Sequence, residues 1–142
     1  MARLLAFLTG ALTMLSFAPA GWYLLALLLV LPLLYVFYRC SPRCSAELGF
    51  CYGAGLFLTG TYWLYVSIHV FGEAPLILAI FLMIALVIIM ACYYAATGWL
   101  ISRLAGRRPG FFVVTAPAAW VLFEWLRGWF LSGFPWMTLG YA

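Results

Sequence analysis

Glu124 and Arg127 are the residues in this chain best placed to do chemistry, and four tryptophans stand around them: Trp120, Trp125, Trp129 and Trp136. On a helix, Trp120, Glu124 and Arg127 follow i, i+4, i+7 and share one face. A carboxylate three residues from a guanidinium can work in two ways. The two charges neutralise each other near lipid. Alternatively, the planar guanidinium binds the phosphate of a headgroup while the carboxylate anchors it or holds the following loop. Neither residue has the neighbours of a nucleophilic triad. Gly128 frees the chain to turn. Gly133-Phe134-Pro135-Trp136 then cannot continue a regular helix, because Pro135 lacks an N–H. Aromatic residues here also suit an interfacial belt, but a belt needs no such break in geometry. The candidate substrate-binding residues are therefore Glu124, Arg127, Gly133, Phe134, Pro135 and Trp136, and Trp136 should matter more to function than Trp99.

The remaining inventory excludes most other chemistry. Lysine, aspartate, asparagine and glutamine are absent, and the titratable groups are three glutamates, His69, the cysteines and the tyrosines. The chain is 69% hydrophobic and 7% charged, with mean hydropathy +1.17. That is too little charge for a soluble surface, and the long apolar runs indicate an integral membrane protein. The net charge of +4 comes entirely from arginines. They sit between apolar runs, so topology explains them better than nucleic acid. No metal or cofactor site is expected: Cys40 and Cys44 lack a second ligand pair, and Cys51 and Cys92 lie inside apolar runs. Free thiols are expected, with a Cys40–Cys44 disulfide as the alternative. His69, the single imidazole, reads as an interfacial hydrogen-bonding residue.

Five apolar segments must position the candidate site, which makes the expected fold class all-α: a polytopic helical membrane protein. The segments are 4–18, 22–38, 47–71, 76–102 and 111–127, and 128–142 is an irregular outward-facing loop. Residues 4–18 with Ala18-Pro19-Ala20 imitate a cleavable signal peptide. A second apolar run begins at once at Trp22, however, so a hairpin of two membrane helices is preferred, with Pro19 and Gly21 in the turn. Pro32 should kink the second segment. In the third, Gly49 and Gly53 form a small-residue pair that lets helices approach closely, in packing within this chain rather than in a dimer. Its far end, 61–71, is either an aromatic belt or the wall of a lipid cleft.

With a cytoplasmic N-terminus, Arg3, Arg39, Arg43, Arg103, Arg107 and Arg108 share one side and Arg127 alone lies on the other. Such an imbalance fixes the N-terminus inside and the 128–142 loop outside. The chain stops after Gly140-Tyr141-Ala142 with no polar tail, and reads as the front part of something longer.

Several of these blocks carry a family resemblance. Ser16-Phe17-Ala18-Pro19-Ala20-Gly21, Gly49 to Gly55, Tyr62 to His69, Phe71-Gly72, Glu124-Trp125-Leu126-Arg127-Gly128 and Ser132 to Trp136 with Gly140-Tyr141 resemble, in order, the N-terminal membrane region of apolipoprotein N-acyltransferases. The resemblance implies a multi-pass protein of the bacterial inner membrane, without cofactor. Its family moves an acyl chain from a phospholipid to the N-terminal amine of a diacylglyceryl-cysteine lipoprotein, through a thioester on a cysteine. The implied Glu-Lys-Cys triad belongs to a nitrilase-like domain that has no counterpart in these residues, so no catalytic residue is assigned here and this piece alone is expected to be inactive. The same resemblance places Gly133 to Trp136 near the acyl-transfer site, with Trp136 touching lipid or lipoprotein. A small non-enzymatic membrane scaffold is the alternative, and the oligomeric state stays open.

Overall fold

A computed structural model describes residues 1–106, 108–130 and 133–142. Helix makes up 82% of the described residues, which contain no strand. The elements are α1 (Ala2–Thr13), continued by a tighter turn at Met14–Ser16, α2 (Tyr23–Arg39), α3 (Pro42–Gly60), α4 (Tyr62–Val66), α5 (Leu76–Ala105) and α6 (Pro109–Arg127). A wider helical turn, Ser67–Phe71, prolongs α4, and a short turn at Leu139–Tyr141 ends the chain. Local signals start and stop these elements. Ser41 caps α3 by accepting the Cys44 N–H at 3.4 Å, and Pro42 follows in the first turn, where its missing N–H has no partner to lose. Pro109 opens α6 in the same way. α5 stops at Gly106, whose φ of +52° suits a residue without Cβ.

The helices lie along the apolar stretches of the sequence with different bounds, and they are not equivalent. Among the described residues, only α5 and α6 are each long and apolar enough to cross a membrane. A third crossing exists if α3 and the stretch to Phe71 count as one span, and that pair is bent by 50°. α1 with its extension and α2 are shorter apolar helices. The third segment also departs from expectation in detail: its helix begins earlier, at Pro42, and breaks after Gly60. Thr61 leaves helical geometry at φ −111°, ψ 14°, and its hydroxyl donates to Phe57 O at 2.6 Å. A side chain that bonds the preceding turn favours bending there.

α3 is the central post, with α1 on one side and α5 on the other. Phe37, Tyr52, Leu56, Phe57 and Ile101 form the most enclosed part of the core. Glycines set the spacing. A Cβ on Gly10 would strike Tyr52 O, and one on Gly55 would strike Phe7 O, so α1 and α3 touch backbone to backbone. Gly49 and Gly53 face Tyr94 and Ala91 of α5, so this pair packs inside the chain. Replacing Gly10 or Gly55 with valine is expected to destabilise the bundle by at least ~1–3 kcal/mol. Thermal unfolding in detergent measures it, and a wild-type melting curve would refute the close contact.

Three bonds gather the helix ends at one pole: the Arg3–Glu47 ion pair at 2.6 Å, Ser45 Oγ donating to Phe37 O at 3.4 Å, and Ser102 Oγ donating to Cys40 O at 2.8 Å. Arg39, Arg43 and Arg103 lie at that same pole. Arg108 follows the end of α5, and the Tyr38–Phe112 ring contact at 4.9 Å brings the start of α6 to the end of α2. Arg127 occupies the opposite pole. Arg107 lies outside the described residues.

Candidate functional site

At the pole of Arg127, the last turn of α6 grips the segment that follows it. Arg127 is 1% exposed, the largest fully buried side chain among the described residues. Its Nη1 donates to Trp136 O at 2.8 Å, and Nη2 lies 3.4 Å from Thr138 Oγ1. Its main-chain oxygen accepts the Phe134 N–H at 2.8 Å. One turn earlier, Glu124 Oε1 accepts the Leu139 N–H at 2.8 Å. The two charges themselves stand 3.9 Å apart, so attraction assists a clasp made mainly of hydrogen bonds to the loop backbone. Aromatic faces replace water around the cation: its Cζ lies 5.1 Å from the Phe57 centroid and 5.8 Å from that of Tyr94. The helical spacing read in the sequence thus brings Glu124 and Arg127 onto one face, but their partners are loop atoms.

The loop has the conformation such a grip requires. Gly133 adopts φ +69°, and a Cβ there would strike Gly128 O; only glycine fits. Gly128 caps α6 with φ −69° and ψ −20° and begins the turn expected there. Met137 takes φ +56°, an uncommon conformation for a side chain of its size. It is held there by burial against Gly60, where a Cβ would collide with its sulfur. The end of α3 therefore bends where the loop plugs into it.

Gripping the loop backbone leaves side chains free outside. Trp136 is 50% exposed, and its ring lies 5.6 Å from that of Trp63. Beside them opens a recess of about 390 Å³ walled by Met14, Phe17, Gly60, Trp63, Pro135 and Tyr141. A second recess, of about 430 Å³, lies across Pro135 and Tyr141 against Val121, Trp125 and Trp129. Phe134 turns the other way, to within 6.4 Å of the Phe57 ring. Ser132 lies outside the described residues.

The expected site residues thus come together but divide in two. Glu124, Arg127, Gly133 and Phe134 build the loop, while Pro135 and Trp136 face the recess. Sequence reasoning missed Thr138, Leu139, Met137, Phe57 and Tyr94. Leu139 contributes only its amide, which no side-chain pattern reveals. Trp63 lies within 61–71, which reads as an aromatic belt or the wall of a lipid cleft, with spacing favouring the belt. His69 faces the backbone of the next turn, with Nδ1 2.8 Å from Ala74 O. All four cysteines are free. Burial and the neighbouring Cys44 thiol push Cys40 above its ordinary pKa, the reverse of what activates a nucleophile. Among the described residues no group of three His, Cys, Asp or Glu side chains could hold a metal.

Comparison with known proteins decides the family. Residues 9–142 match the model described as the apolipoprotein N-acyltransferase N-terminal domain. The chain belongs to this family. It is 42% identical over 140 residues to the apolipoprotein N-acyltransferase of Photobacterium profundum, covering 98% of this chain and 27% of that protein. It is 40% identical to the apolipoprotein N-acyltransferase of Vibrio cholerae and 44% identical to that of Azotobacter vinelandii, each over 143 aligned residues. Those matches cover 100% and 99% of this chain and 28% of either relative. The chain therefore spans little more than a quarter of the length of these apolipoprotein N-acyltransferases. Its apolar helices agree with a membrane protein in an enzymatic family.

Proposed function

We propose that this chain is the membrane platform of an N-acyltransferase that moves an acyl chain from a phospholipid to the N-terminal amine of a diacylglyceryl lipoprotein. Pro135 and Trp136 guide the lipid, Gly133 and Phe134 shape the loop, and Glu124 and Arg127 hold it in place. The nucleophile and base come from the rest of the enzyme. One observation carries the reading: a half-exposed tryptophan stands over an apolar recess while a buried arginine grips its carbonyl. Two reactants that are both lipids can meet there without full extraction into water, which costs ~0.8 kcal/mol per exposed methylene. The test is reconstitution with phospholipid and a diacylglyceryl lipopeptide. The full-length protein is expected to N-acylate the peptide, and residues 1–142 alone are expected to leave it unmodified. No product from the full-length protein sinks the activity; product from the short chain sinks the division of labour.

In this reading the chain is a multi-pass protein of the bacterial inner membrane, crossing about five times with its arginine-rich pole and N-terminus in the cytoplasm. Gly140 is exposed, and a side chain added there meets nothing within 4 Å. In a background without native cysteines, Gly140→Cys is expected to react with a membrane-impermeant maleimide from the outer side. Labelling only from the cytosol overturns the orientation.

A further inference from the structure

The clasp has a polar rear face that the loop does not use. Between α5 and α6, behind Glu124 and Arg127, lies a cavity of about 10 Å³ lined by Tyr93, Thr97, Trp120 and Phe123 among others. Two donors are buried beside it without a hydrogen bond: Tyr93 Oη and Trp120 Nε1. Trp120 is 7% exposed and neighbours the Glu124 carboxylate one turn on, yet its N–H does not reach it in bonding geometry. Glu124 holds the Leu139 amide through Oε1, which leaves Oε2 able to accept. Thr97 is already engaged, donating to Tyr93 O at 2.8 Å.

Two residues with unbonded buried donors and one carboxylate residue line the same small gap, which defines what fits. A cavity of ~10–15 Å³ takes one water molecule, and buried waters typically make ~3 hydrogen bonds. The geometry points to an internal water site: one molecule accepts from Tyr93 O–H and Trp120 N–H and donates to Glu124. No larger ligand has room. Tyr93 and Trp120 are then positioning residues. Through the water they orient the carboxylate that pins Leu139, and so stiffen the segment carrying Trp136. The site stands whichever chemistry the protein performs, since it rests on the cavity and its donors alone.

The experiment uses the full-length protein in lipid nanodiscs. A map sharp enough to show ordered water is expected to place a peak within hydrogen-bonding reach of Tyr93 Oη, Trp120 Nε1 and a Glu124 oxygen. Hydrogen exchange at the Leu139 amide is expected to quicken about tenfold in Tyr93→Phe and in Trp120→Phe. Thr97→Val, which lines the same cavity with a hydroxyl already bonded elsewhere, is expected to exchange like wild type. The wild-type map needs no variant to fold. A cavity without a peak, donors bonded directly to protein, or unchanged exchange in Tyr93→Phe overturns the proposal.

Discussion

Arg127→Ala is expected to release the loop and to destabilise the bundle by ~3–5 kcal/mol, the range seen when one member of a buried charge pair is removed. The guanidinium is enclosed by Phe57 and Tyr94 and donates to Trp136 O. Deleting it leaves that carbonyl and the largely enclosed Glu124 carboxylate without their positive partner, and opens space between two aromatic faces. Arg127→Lys is expected to recover only part of the loss, because one ammonium cannot reproduce the planar fork that reaches Trp136 O and Thr138 together. The readout is the unfolding temperature in detergent together with protease cutting between Gly128 and Gly140. Wild-type stability and an unchanged cutting pattern in Arg127→Ala would show that the clasp holds nothing.

Trp136→Ala carries the second large effect, on activity rather than stability. Its ring is half exposed over the recess and touches Trp63 alone among the described aromatic rings. Removing it should barely change the fold. If Trp136 guides the lipid as proposed, loss of that apolar contact, worth ~1.5–3 kcal/mol, is expected to lower acyl transfer by the full-length protein roughly ten- to a hundredfold. Trp99→Ala is the control, since Trp99 is 46% exposed on α5, away from the loop. Its activity is expected to stay near wild type. Equal losses in the two variants remove any special role for Trp136.

How far the sequence discloses this arrangement depends on the kind of information involved. Apolar runs and breakers are compositional, so α5 and α6 meet at the break marked by Gly106 and Pro109, whereas α3 starts at Pro42, inside a stretch expected to be a polar break. The i, i+3 spacing places Glu124 and Arg127 together because helix geometry alone decides it. What stays hidden is long-range or main-chain. Trp136 O and Leu139 N complete the clasp, and every residue carries such groups, so nothing in the spelling marks these two. At the break after Gly60 the Thr61 hydroxyl acts locally, but the contact with Met137, 77 positions on, is long-range and escapes detection. The helix ends in a turn at Gly128 as expected, while the positive φ of Gly133, which meets the Gly128 carbonyl too closely for any side chain, is not legible from spacing.

Arg127 holds residue 136 by its main-chain oxygen and leaves the indole untouched. Anchorage and identity are therefore separable at this position. The post is fixed, while the ring above it can swivel about its own side-chain torsions or be exchanged for another without redesigning the support. Substituting phenylalanine, tyrosine or histidine at 136 changes the shape and polarity of the tip at an unaltered location, so under the proposed role of Trp136 a single codon is expected to retune preference among reactants.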